Sequence, residues 1–153
     1  MMSLASEVIG ALAGKTLATA ESCTGGMIGQ LLTAVAGASK VYKGGVISYT
    51  NAVKESVLGV SGETLLSCGA VSAQTAGEMA AGARKLLKTD FAVSVTGLAG
   101  PGGDEFGNPV GTVFIGFDSE INSEVREFHF AGDREAVRLQ AAEAALKQIL
   151  KNV

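Results

Sequence analysis

The chain has 153 residues, 47% apolar and 18% charged, with a formal net charge of −3 and no Trp. This is the usual size of one domain, and folding at that length hides roughly 70% of the unfolded surface, so composition and size together exclude a disordered chain. Lys and Arg are too sparse for a basic stripe that neutralises many phosphates, which argues against duplex DNA or RNA as a partner.

Leu4, Val8 and Leu12 recur at helical spacing, with Ala5 and Ile9 beside them and Gly14 as a stop, so a first helix is predicted. The run VIGALAG followed by Ala18-Thr19-Ala20 imitates a secretory leader. Glu7 precedes it and no basic segment does, which favours the helix. Glu, Lys or Arg interrupts every apolar run before the roughly 20 residues needed to cross a bilayer, so no membrane association and a cytoplasmic location are expected. A short strand is predicted over 16–20, and Met27, Ile28, Leu31, Leu32 and Val35 trace the apolar stripe of a second helix close behind it.

A second strand over 44–49 leads into a short helix over about 51–58, stopped by Gly59, and a further helical turn covers 64–68. Ser72 reads as the N-cap of a longer helix carrying Met79, Ala80, Ala83, Leu86 and Leu87. Residues 91–96 form the third strand. Residues 110–117 are almost continuously apolar, as in a strand covered on both faces, whereas 125–130 alternate as at a sheet edge. The last helix starts at Asp133. Early alternation of strand and helix makes the first three strands parallel, and the short link after Phe117 makes the final strand antiparallel. The expected fold is α/β: one domain over 1–153, three layers, and a mixed five-stranded sheet of order 2-1-3-4-5.

Ligands of open α/β sheets collect beyond the carboxyl ends of the strands, where strand order reverses. Three segments arrive there: Glu21-Ser22-Cys23-Thr24-Gly25-Gly26, residues 50–54, and the Gly-rich loop beginning Thr96-Gly97-Leu98-Ala99-Gly100. The first ends a strand and opens a helix, so its free N–H groups and the helix dipole favour an anion or the oxyanion of a tetrahedral intermediate above Ser22. The same residues also suit an ordinary helix cap. Cys23, Thr24, Gly25 and Gly26 are expected to border the ligand, the glycines by leaving room for close approach. The glycine loop matches neither the P-loop nor the dinucleotide fingerprint.

A reactive serine needs a base. His129, the only histidine, falls in the edge strand opposite Phe128 and Phe130, so a Ser-His-Asp triad is disfavoured. Lysine remains, because desolvation lowers its pKa toward neutrality. Lys54 is the best placed, with Tyr49 at the strand end to orient or relay the proton. Cys23 competes with Ser22 as nucleophile, since a thiolate at a helix start has a depressed pKa. Adjacent side chains at a strand end point to opposite sides, so both should not face the ligand. Two cysteines and one histidine are too few for a disulfide framework or a histidine-rich metal site, so no metal is expected and a reducing compartment fits. Arg134, in the first turn of the last helix, and Arg138 one turn on are candidates for holding a phosphate; a cap with surface arginines is the bland alternative.

The segments ATAESCTGG (18–26), GGVISYTNAVK (44–54), GAVS (69–72), VSVTGLAGPGG (93–103), PVGTVFIGF (109–117) and AGDREAVR (131–138) together resemble the C-terminal domain of the competence/damage-inducible protein CinA. The resemblance runs over essentially the whole chain. That family includes nicotinamide mononucleotide deamidases, which implies hydrolysis of the carboxamide to nicotinate mononucleotide and ammonia, a step that returns pyridine nucleotide breakdown products to NAD synthesis. It further implies a small pyridine nucleotide as substrate, no metal or organic cofactor, and a homodimer. Carried over by position, Ser22 is the nucleophile, Tyr49 and Lys54 handle the proton, Thr96, Gly97 and Gly100 lie near substrate, and Arg134 contacts phosphate. Larger members carry a further N-terminal domain resembling molybdopterin-binding modules; with 21 residues before Ser22, the stand-alone form is expected. The competing class is a non-catalytic nucleotide-binding domain, separated from the enzyme by ammonia release. A protein-interaction domain connected with DNA uptake is a weaker third.

Overall fold

The computed structural model describes residues 2–153. Five strands, β1 (Leu17–Glu21), β2 (Tyr42–Ile47), β3 (Phe91–Gly97), β4 (Thr112–Ser119) and β5 (Ser123–His129), hydrogen-bond in the order β2-β1-β3-β4-β5. β1 pairs in parallel with both β2 and β3, while β3–β4 and β4–β5 are antiparallel. The order and the antiparallel last strand are those expected from the sequence. The reversed entry of β4 was not specified there. It follows from the glycine loop, which is a hairpin connection closed at its base by Leu98 N–H to the Thr112 carbonyl at 2.9 Å and Gly111 N–H to the Leu98 carbonyl at 2.8 Å.

The helices are α1 (Leu4–Ala11), α2 (Met27–Thr33), α3 (Asn51–Ser56), α4 (Gly62–Ser67), α5 (Ala73–Leu87) and α6 (Arg134–Asn152). Small hydroxyl or carboxylate side chains start most of them: Ser3, Thr50, Ser61, Ser72 and Asp133 each accept an N–H three residues on. The predicted second strand is shifted. It begins at Tyr42 and ends at Ile47, because Ser48 turns away and Thr50 is already the cap of α3. An additional 3₁₀ turn, Ala38–Lys40, precedes it.

The period of two along the strands sorts the core into two layers. Leu17, Val93, Val95, Val113, Ile115 and Phe117 pack with α1, α2 and α6, whereas Ala18, Ala20 and Ala92 meet Met79 and Ala83 of α5 together with Leu58, Val60 and Leu65. The small strand residues on the second face let α5 lie close. A Cβ on Gly116 would stand 2.6 Å from the Ala76 carbonyl oxygen. No helix among the described residues is long and apolar enough to cross a membrane.

Candidate active site

Ser22 is the first residue after β1, and its N–H still donates to the Val95 carbonyl of β3 at 3.0 Å. By the alternation of β1, residue 22 falls on the α5 side with Ala18 and Ala20, and Glu21 falls on the other. Ser22 is buried, as is Thr96 at the end of neighbouring β3.

Lys54 comes to Ser22 from α3. Only 1% of Lys54 is exposed, and its Nζ donates to Ser22 Oγ at 2.9 Å, to the Ser48 carbonyl at 2.8 Å and to the Tyr49 carbonyl at 3.3 Å. Three acceptors and no carboxylate surround the amine. Desolvation therefore dominates and brings its pKa from 10.5 down to about 8. The segment carrying it is anchored to β1, since Ser48 N–H donates to the Glu21 carbonyl at 2.8 Å.

A cavity of about 290 Å³ opens above this pair, near the lower end of the range for ligand sites. Ser22, Cys23, Tyr49, Lys54, Thr96, Gly97, Gly100 and Arg134 line it, so most of the residues singled out in the sequence converge there. Arg134 Nη1 donates to the Gly100 carbonyl at 2.7 Å and Nη2 to the Tyr49 hydroxyl at 3.3 Å, bridging the glycine loop and the β2–α3 corner. Thr96 Oγ1 donates to the Ala70 carbonyl at 2.7 Å. Gly97 is required by packing, since a Cβ there would lie 2.6 Å from Val113 Cγ2.

Several expectations need correction. Tyr49 contacts Lys54 through its carbonyl, and its phenol is largely exposed and bonded to Arg134, so no direct phenol-to-amine relay is present among the described residues. Thr24, Gly25 and Gly26 do not line the cavity. Thr24 is fully buried with Oγ1 donating to Glu21 Oε1 at 2.7 Å, and the two glycines supply left-handed turns at φ +59° and +106°. The start of α2 is not open to a ligand, because Glu21 Oε1 accepts Gly26 N–H at 3.2 Å and Ile28 N–H at 2.9 Å, and Oε2 accepts Gly29 N–H at 3.0 Å. Cys23 packs into the core, and burial pushes its thiol up to about 11 despite the nearby Arg138 and Lys54 cations. That burial argues against a depressed-pKa thiolate as the nucleophile. Arg138 is turned onto main-chain carbonyls and does not reach the cavity.

Three contributors escaped the sequence reading: the Glu21 carboxylate, the Ser48 carbonyl, and Asn51, which borders the cavity on the same face of α3 as Lys54. A Glu directly before Ser22 at a strand end was the available signal for the first. No cluster of three or more His, Cys, Asp or Glu side chains suited to a metal occurs among the described residues.

Fold and site define an α/β domain with a buried serine–lysine pair at the carboxyl end of a parallel strand. The chain belongs to the CinA family: the CinA C-terminal domain model matches residues 2–153. A CinA-like protein of Thermotoga neapolitana is 48% identical over 139 residues, covering 91% of this chain and 34% of that protein. The chain spans about a third of the length of the curated relatives it matches. The crystal structure of a competence-damaged protein (CinA) superfamily protein from Escherichia coli superposes with a TM-score of 0.96 at 37% identity, covering 98% of this chain and 88% of the other. That of a competence/damage inducible protein from Agrobacterium tumefaciens gives 0.93 at 41% identity, covering 97% and 92%.

Proposed function

We propose that this domain is an amidase that hydrolyses nicotinamide mononucleotide to nicotinate mononucleotide and ammonia. The observation that carries the reading is the 2.9 Å contact between Lys54 Nζ and Ser22 Oγ at the floor of the cavity. With its pKa near 8, Lys54 is partly neutral at physiological pH. Two of its N–H bonds are then held by the Ser48 and Tyr49 carbonyls, and the lone pair faces the Ser22 hydroxyl.

Lys54 takes the Ser22 proton as Oγ attacks the carboxamide carbon, and returns it to the departing nitrogen so that ammonia leaves. Water then attacks the acyl-serine with Lys54 again as base, releasing the acid. The Ser22 N–H is held by Val95 and the Gly25 N–H by the Ser22 carbonyl at 3.1 Å, so the N–H of Cys23, which borders the cavity and has no protein acceptor among the described residues, is the candidate oxyanion donor. Arg134 keeps N–H groups beyond those given to Gly100 and Tyr49, and its place on the cavity wall suits a phosphate.

The test is ammonia release, with chromatography of the acid product, from nicotinamide, its riboside and its mononucleotide. Wild-type protein is expected to prefer the mononucleotide, and Ser22→Ala to lose at least about 10³-fold in kcat with an unchanged melting profile. Binding of the mononucleotide without product would turn the reading toward a nucleotide-binding module.

A further inference from the structure

The floor of the cavity holds an amine with no counter-charge. Lys54 and Arg134 are the charged side chains among the lining residues, and no Asp or Glu is among them. Lys54 Nζ meets neutral acceptors only: the Ser22 hydroxyl at 2.9 Å and the Ser48 and Tyr49 carbonyls at 2.8 and 3.3 Å. The surrounding elements bring no anion either. Glu21, on the other side of β1, spends its carboxylate on the Thr24 hydroxyl and three amides. Glu55, next to Lys54 on α3, is turned toward Gly62. The Cys23 thiol, pushed up to about 11, stays protonated; the Tyr49 phenol accepts from Arg134, and Arg138 is turned onto carbonyls. Residues 70–71 and 96–100, which close the cavity, include no titratable side chain.

The protonation of Lys54 decides what Ser22 presents to a ligand. A charged amine has three N–H bonds and three acceptors here, one of them Ser22 Oγ. The Ser22 hydrogen then has no protein acceptor among the described residues and is free to donate into the cavity. A neutral amine keeps its two N–H bonds on the carbonyls and turns its lone pair to Ser22, which donates to it and shows oxygen lone pairs to the cavity. The first arrangement suits an anionic oxygen, with the ammonium one hydrogen bond behind the donor; the second suits an electrophilic carbon and repels an anion. Hydrolysis replaces a neutral carboxamide by a carboxylate at this position, and Arg134 on the cavity wall suits the phosphate.

We infer that the cavity captures aromatic carboxylate nucleotides, its own product included, by seating the carboxylate on the Ser22 hydroxyl over protonated Lys54, so that retention of the acid is coupled to proton uptake; the choice of ligand rests on the amidase reading above. Falling pH makes the acid a stronger competitor. Rising pH releases it and restores the attacking form of the pair.

The experiment is calorimetric titration of wild type and Lys54→Met with nicotinate mononucleotide at pH 7.5, 8.5 and 9.5, each in two buffers of different ionisation enthalpy. All three values lie above the second pKa of a phosphate, about 6, so that group does not titrate across them. The transition follows the empty-site amine, near 8. Wild type is expected to bind the acid about tenfold or more weakly at pH 9.5 than at pH 7.5, with uptake rising toward one proton per site. Lys54→Met should bind more weakly at pH 7.5, with no pH dependence and no uptake; if it does not fold, uptake by the wild type decides the matter. Wild-type affinity constant within about twofold, equal uptake in Lys54→Met, or no binding of the acid at any of the three values would overturn the assignment. A protein that shows the linkage but releases no ammonia from nicotinamide mononucleotide sinks the amidase reading alone. One that releases ammonia without the linkage sinks this inference alone.

Discussion

The Glu21 carboxylate accepts the Ile28 N–H at 2.9 Å, so the positive end of α2 is neutralised from within the protein. The same group takes the Thr24 hydroxyl and two further amides. Removing it leaves four buried or half-buried donors without a partner. Glu21→Ala is expected to lower stability by about 3 kcal/mol in urea unfolding. A loss below about 1 kcal/mol would mean that water serves those donors equally well.

Lys54 and Cys23 should give stability an unusual dependence on pH. Lys54 titrates near 10.5 when unfolded and about 8 when folded, so the unfolded chain binds more protons between those values and stability rises with pH there. Cys23 acts with the opposite sign, because its thiol moves from 9.0 to about 11 on folding and stability falls across that interval. Wild type should gain stability from pH 8 to 9 and then level off, whereas Cys23→Ala should go on gaining to about pH 10.5. Urea titrations at half-unit steps would read both slopes, and a flat profile in both proteins from pH 8 to 9 contradicts the assignment. The kcat/KM profile should rise with an apparent pKa of about 8.

On the proposed mechanism the buried Cys23 thiol takes no part in turnover. Cys23→Ala is expected to keep kcat within about threefold and to lose about 1 kcal/mol of stability through the vacated volume. Iodoacetamide at pH 7.5 should inactivate slowly or not at all. Rapid inactivation with one equivalent incorporated at Cys23 would reverse this conclusion.

Arg134 should act on substrate choice. Arg134→Gln is expected to raise KM for the mononucleotide about 10- to 100-fold while leaving the riboside nearly unaffected, because only the former carries a phosphate. Equal effects on both substrates would assign Arg134 to holding the glycine loop through Gly100.

Much of the architecture was legible because local signals agreed with the global pattern. The caps at Ser72 and Asp133, the stripe of α2 and the alternation of β5 each point to the element observed. The meeting of positions 22 and 54 followed from element order, since both segments leave parallel neighbours at the same end. Side-chain direction was less accessible. Whether Glu21, Thr24 or Arg138 faces a ligand or the backbone depends on which side of the loop each occupies, and a motif records identity and spacing only. The end of β2 was misplaced because Val46, Ile47 and Tyr49 carry the strand-like composition past the turn that Ser48 makes. The direction of β4 depended on how the glycine loop closes, which its composition does not state.

Ser22 hangs from an interior strand, whereas Lys54 sits on α3 directly after β2, an edge strand of the sheet. Margins fray before centres. Turnover should consequently be a more sensitive thermometer than circular dichroism: on slow warming, catalysis is expected to fade a few degrees ahead of the cooperative melt, and cooling from that interval should restore it in full.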